Sequence, residues 1–402
     1  MASIVCTMPR FGTLVGIRKP TKNESWYRRA LRLTLFIALI ASGIVAVGTS
    51  NIRAGILIFA VLVGGIWCFT AIIWLHTAIH EFGHVLAGLA VKYEFESIQI
   101  GGMTLAKVDR RFTLKASATP ISGGLARMHP PDGKPSLRAF RVFVIGGPMA
   151  SLLESVIWMD FYPRNWERVG HGTASVLTAC LIGICGITAV GTFLGSLTAS
   201  TANGFSSDRV QLWRSWKQPE MTIRNLAIAK IYHSVELGLL ARVWNADCME
   251  ALAHPEDGSW DELYARYFRY YWYADLGDNV GAWAELCRAS DLCRALGPAS
   301  GEFAQILLSE QIFAAAWLRK DVDLAKSIPA MEVSEDETLK PGQTRALAAL
   351  ALLEGRAEDA IALVTESRVS LTVLMEKRTG KCANDLMWLD EIEREAKANR
   401  LS

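Results

Sequence analysis

Excess charge, closely paired cysteines and a convincing signal-peptide cleavage pattern are all missing from this sequence, and each absence bears on a class of function. The 42 basic side chains are nearly matched by 40 acidic ones, and a net charge of +2 creates no field that would recruit nucleic acid. Eight cysteines (Cys6, Cys68, Cys180, Cys185, Cys248, Cys287, Cys293 and Cys382) form no CxxC pair. Three of them lie in long apolar runs, so the set reads as reduced, structural cysteine. No small-residue cleavage pattern follows the first apolar run. That run therefore reads as an anchor that stays on the chain rather than as a signal peptide.

What is present is segregated. The chain is 51% hydrophobic yet 20% charged, with a mean hydropathy of +0.22, a combination expected of a membrane part joined to a soluble part. Residues 1–32 carry seven basic side chains against the single Glu24. Apolar runs then cover Leu33 to Gly48, Ala54 to Leu75, Val142 to Met159 and Ala174 to Thr198. The second run flows into HTAIHEFGHVLAGLAV, too long for one straight span, so it should tilt, extend beyond the bilayer or bend near Gly64 and Gly65. Between Lys92 and Arg141, nine basic and four acidic residues accompany β-type alternation in YEFESIQI and RFTLKASA. The links at Asn51 to Arg53 and Asp160 to Thr173 are short and poor in excess positive charge. The positive-inside rule then places both outside the cytoplasm, giving four spans with both termini cytoplasmic.

The expected fold is mainly α: a polytopic membrane helix bundle with a small cytoplasmic β insert, followed by a soluble α-helical domain. The expected boundaries are 1–32 for the basic segment, 33–210 for the membrane domain with its insert at 92–137, and 211–402 for the helical domain. In the last of these, LGDNVGAWAEL, LRKDVDLAKSI and LEGRAEDAIAL align Ala282, Ala325 and Ala360 at separations of 43 and 35 residues. The spacing is near that of tetratricopeptide-like repeats, with generic helical hairpins as the alternative. Stacked hairpins present concave surfaces, so a protein partner is expected there. The aromatic run YFRYYWYADL from Tyr267 reads as a core seam before it reads as a recognition surface. His233 and His254 read as isolated, structural histidines.

One motif carries chemistry. In HEFGH, His80 and His84 are four residues apart and share a helix face, where both imidazoles can bind one Zn2+ while Glu81 reaches a water at the metal. With seven histidines in the chain, an accidental HExxH is expected on the order of once in a hundred such sequences. A catalytic zinc needs a third protein ligand. Asp208, directly after the fourth run and returned by the topology to the same side, is the first candidate. His76 continues the histidine stripe but lies two turns from His84, and Glu154 is an ionisable group within a span.

These residues resemble the site-2 protease family of intramembrane metallopeptidases over roughly residues 54–215. The likeness rests on HExxH in an early membrane helix, a glycine-proline element (Gly146, Gly147, Pro148) in a later one, and an aspartate after the last core span. It implies that His80, His84 and Asp208 are zinc ligands, that Glu81 is the catalytic base, and that the substrate is a membrane-spanning protein or peptide cut near the cytoplasmic face. Gly147, Pro148, Asn203 and Glu154 become candidates for binding substrate or shaping the site. The chain departs from the family where Asp208 is followed by Arg209 in place of glycine, where proline is absent near Asn203, and where Ser151 replaces an asparagine. The resemblance and topology together suggest a bacterial cytoplasmic membrane. Two other readings are a catalytically silent membrane scaffold that recruits partners through its helical domain, and a metal-ion transporter, which the sparse polar residues in the spans disfavour.

Overall fold

A computed structural model describes residues 52–402 apart from 109–110, 118–122, 132, 167–172, 199–200, 203–204, 298–300, 330–332, 337, 378–381 and 402, together with single helical positions between 36 and 48. The first expected span, Leu33 to Gly48, falls largely outside the described residues, as does Asn203. The described chain is mainly helical with a small antiparallel sheet. It divides into two compact units: residues 52–128 with Arg138–Trp213, and His129–Leu137 with Arg214–Ser402.

In the first unit, helix α1 (Ile52–Ala90) runs 39 residues and continues through Gly64 and Gly65 without interruption. At about 1.5 Å per residue it is nearly twice as long as a bilayer core is thick. Helices α2 (Leu137–Trp166) and α3 (Thr173–Ser196) follow the sheet. All three are long and apolar enough to cross a membrane, over Gly55–Ala90, Leu137–Tyr162 and Thr178–Ser196. Their outward faces carry large apolar side chains such as Val61, Trp67, Leu86, Leu153 and Ile187, a surface suited to lipid and costly in water.

Strands β1 (Glu94–Ile100), β2 (Met103–Val108), β3 (Arg111–Ala116) and β4 (Gly124–His129) form a sheet ordered β3-β2-β1-β4. Ile100 pairs with Met103, leaving a two-residue turn in which Gly101 takes φ +56, a conformation that glycine adopts without steric cost. Both β3 and β4 are sheet edges. Beyond α3, a short hairpin of β5 (Thr201–Ala202) and β6 (Phe205–Ser206) leads into helix α4 (Asp208–Lys217).

The second unit is built of helices around one apolar core. Helices α5 (Pro219–Glu236), α6 (Ala246–Leu252), α7 (Trp260–Leu276), α8 (Asn279–Ala295), α9 (Gly301–Phe313), α10 (Val322–Ser327), α11 (Lys340–Leu353), α12 (Ala357–Lys377) and α13 (Ala383–Leu401) follow in order. The three aligned alanines all sit at the fourth residue of a helix, in α8, α10 and α12, and all are buried. Five residues before each stands a left-handed residue: Gly277 (φ +79), Lys320 (φ +51) and Gly355 (φ +81). At the first two turns an aspartate caps the next helix, Asp278 accepting from the Gly281 amide and Asp321 from that of Leu324. The repeat read from sequence is thus a repeat of turn chemistry. The aromatic run on α7 is a core seam, with Phe268 and Tyr270 buried.

Candidate metal centre

The site is set by how closely α2 lies against α1. A Cβ on Gly83 would stand 2.4 Å from the Gly146 carbonyl oxygen, and one on Gly146 would stand 2.4 Å from the Ala87 Cβ. Small residues on both helices therefore let the two backbones touch, as in other small-xxx-small packings. Gly147 comes next: a Cβ there would lie 2.3 Å from His84 Nε2 and 2.7 Å from His80 Nε2. Both imidazoles thus stand in a space that only a glycine on α2 leaves open.

Each ring is oriented through its other nitrogen. His80 Nδ1 lies 2.9 Å from Ser151 Oγ, and His84 Nδ1 lies 2.9 Å from the Phe143 carbonyl oxygen. The Nε2 atoms then meet Asp208 from the start of α4: His80 Nε2 is 3.0 Å from Oδ2, and His84 Nε2 is 3.4 Å from Oδ1. Orientation of a ligating histidine through its second nitrogen is the usual support of a metal site. Pairing of the carboxylate with one histidine through each oxygen brings together residues 128 positions apart.

The hydrogen-bond chemistry leaves room for a proton or a metal ion between the imidazoles and the carboxylate. A carbonyl oxygen only accepts, so His84 Nδ1 carries the proton that it donates to Phe143, and its Nε2 faces Asp208 either with a second proton or with a lone pair free to bind a metal ion. The Gly147 amide also approaches His84 Nδ1, at 3.3 Å. That contact is longer, and helical register already assigns the amide to the Phe143 carbonyl. A lone pair facing a carboxylate oxygen is repulsive unless a proton or a metal ion lies between them. His80, His84 and Asp208 form a largely buried group that could hold a metal ion. Burial pushes the Asp208 carboxyl up, but the neighbouring His84 and His80 imidazoles outweigh it and hold the group well below the usual carboxylate range.

Glu81 completes the cluster. It is buried on α1, and a Cβ on Gly124 would lie 2.3 Å from its Cγ and 2.5 Å from its Oε1. The Ala126 backbone amide of edge strand β4 donates to its carboxylate. The other expected residues fall in three places. Gly147 lines the imidazole pair, and Pro148 follows it within α2. Glu154 does not join the group: its Oε1 lies 2.6 Å from His76 Nδ1, while His76 Nε2 lies 2.8 Å from Thr188 Oγ1 on α3. His76 is thereby engaged by α2 and α3 through both ring nitrogens. Arg209 donates to the Leu197 carbonyl and so ties the start of α4 to the end of α3.

Sequence reading did not reach the roles of Phe143, Gly83, Gly124 and Ala126. Gly83 lies within HEFGH and is four residues from Ala87, a small-residue spacing that signals close helix packing. The Phe143 and Ala126 contacts are made by main chain and leave no mark in side-chain identity. Comparisons with protein-family models, curated proteins and solved structures found no match to the chain.

Proposed function

We propose that the chain is an intramembrane zinc-dependent endopeptidase of the site-2 protease kind, cutting a membrane-spanning protein or peptide near one face of the bilayer. The observation that carries this reading is the approach of Asp208 to both HExxH imidazoles beside Glu81, at the end of a membrane-capable helix. Two imidazole nitrogens and a carboxylate, with both rings oriented from behind, suit zinc and its open fourth position. Zinc so held supplies Lewis acidity, polarising a carbonyl and bringing the pKa of water toward neutrality.

The remaining work belongs to the chain's own groups. Glu81, aimed by the Ala126 amide, accepts a proton from the attacking water and returns it to the leaving amine. A helical substrate hides its carbonyls in hydrogen bonds, so cleavage requires an unwound stretch. Strand β4 is a sheet edge beside Glu81, and a sheet edge suits capture of such a stretch by strand addition. The small residues between α1 and α2 hold the imidazoles in place while this happens.

Two measurements on the detergent-purified chain test the reading. Zinc content should fall in His80→Ala and in Asp208→Asn relative to wild type. Glu81→Gln should keep its zinc but lose cleavage of a panel of single-span peptides by about 100- to 10,000-fold, the range of a general base. Equal cleavage by Glu81→Gln and wild type, or no cleavage by either, would leave the silent membrane scaffold as the better account.

A further inference from the structure

The histidines that read as isolated in sequence include one that the fold pairs. His129, at the end of β4, stacks its ring on that of His233, with centroids 3.5 Å apart and planes 21° from parallel. One turn after His233, Glu236 closes α5, its Oε2 4.0 Å from His233 Nδ1. One donor atom from each of the three lies within 4.8 Å of the others. All three residues belong to the second compact unit.

Several features make this more than a chance encounter of polar side chains. His233 Nδ1 is buried and makes no hydrogen bond, a cost that a buried nitrogen rarely carries without a ligand or water. His233 and Glu236 are three apart on a helix and so share a face. The segment bearing His129 is fixed to the same helix by Lys230, one turn before His233, whose buried ammonium donates to the Pro131 carbonyl at 2.9 Å and the Gly133 carbonyl at 3.3 Å. That ammonium is thus occupied by two carbonyls of the adjoining segment. The end of α5 is fixed as well, the Leu237 and Gly238 amides donating to the carbonyls of His233 and Val235.

We infer that His129, His233 and Glu236 form a second metal site that takes a borderline transition-metal ion such as Zn2+, clipping the His129–Leu137 segment to the C-terminal end of α5. Two imidazoles and one carboxylate are a donor set that such ions favour over Ca2+ or Mg2+, which prefer oxygen alone. Bonds of about 2.0–2.2 Å require the three donors to draw closer than they stand, by turning the facing rings apart about their side-chain torsions. Three protein ligands leave one position of a tetrahedral ion to water.

The test is metal stoichiometry in the full, tag-free chain in detergent, saturated with Zn2+, freed of unbound ion by gel filtration and assayed by elemental analysis. Wild type should retain two equivalents. His233→Asn and the isosteric Glu236→Gln should each retain one, at unchanged helicity by circular dichroism, while His80→Ala should also retain one. A single equivalent in wild type that is lost in His233→Asn but kept in His80→Ala sustains this site and removes the metal from the proposed peptidase centre. A single equivalent lost only in His80→Ala, or the same zinc in wild type, His233→Asn and Glu236→Gln, overturns the inference. So does a wild-type chain without zinc.

Discussion

Buried charge is used in opposite ways by the two units. In the helical unit, Arg345 is almost fully buried and paired through both terminal nitrogens, with Nε alone left without a hydrogen bond: its guanidinium donates to both Glu310 oxygens at 2.6 and 2.7 Å and also to Asp385, between the rings of Phe313 and Trp388. The Tyr270 and Tyr271 hydroxyls complete the Glu310 shell. At the HExxH helix the pairing can be completed by a proton or by a metal ion, because an imidazole nitrogen and a carboxylate oxygen face each other across 3.4 Å. A network in which a permanent cation is held by carboxylates and hydroxyls is a structural device. A cluster whose bridging proton can give way to a metal ion is a candidate site, and the contrast separates it from a core without reference to any relative.

The contrast breaks most visibly at its structural end. Arg345→Met leaves Glu310 and Asp385 buried without their cation, and removal of one partner from such a network typically costs about 3–5 kcal/mol. Thermal unfolding of the full chain should shift down accordingly while zinc retained by the HExxH centre stays the same. An unchanged melting temperature would mean that the network is not the structural device described. At the functional end, Gly147→Ala places a methyl group 2.3 Å from His84 Nε2. Metal affinity at that centre should fall about a hundred-fold, or about 2.7 kcal/mol, with the helical unit's stability unaltered. Undiminished affinity would show that the imidazoles do not stand against α2.

How far the site could be read from sequence follows from how local each part is. His80, Glu81 and His84 were legible because a four-residue spacing on a helix already determines that the imidazoles share a face. Asp208 was reached only through the order of the apolar runs, and His76 and Glu154 stayed open as rivals until the helices were seen to pair them with each other. The membrane-capable helices, the β insert and the helical hairpins were legible from composition and periodicity, although the insert shows four strands where two were marked by alternation. The first of the four expected spans lies largely beyond the described residues. The His129–His233 stack joins positions far apart in sequence, and no periodicity connects a strand end with a helix end.

A smaller effect sharpens the comparison through pH. Arg224, fully buried, donates to both oxygens of Asp257 at 3.1 and 3.0 Å, to the Pro255 carbonyl and to Ser259. Burial pushes the Asp257 carboxyl up, but hydrogen bonds from Arg224 and Ser259 outweigh it and leave the group below its ordinary value. Because the folded value is the lower one, this pair contributes stability above the ordinary aspartate range, and loses it as pH falls through the folded value. The carboxylate is partly solvated, so Asp257→Asn should cost only about 1–2 kcal/mol near neutral pH. It should also flatten the acid limb of the stability profile. A variant as acid-sensitive as wild type would assign that limb to other carboxylates.

The smallest predicted effect isolates backbone from contact. Gly277 ends α7 with φ +79, and a Cβ there would meet nothing within 4 Å. Gly277→Ala therefore adds no clash and removes no packing, so its whole effect is the cost of holding an L-residue in the left-handed region, about 1 kcal/mol. The equivalent position in the next hairpin already holds an L-residue, Lys320, whose ammonium lies 3.8 Å from the Trp317 ring and 3.1 Å from Glu395. If the hairpins share one turn, Lys320→Gly gains the conformational term that Gly277→Ala loses, less the small value of those exposed contacts. Melting temperatures that move in opposite directions for the two variants would establish the repeat as a repeat of turn geometry. Movement in the same direction would reduce the three aligned alanines to a coincidence of packing.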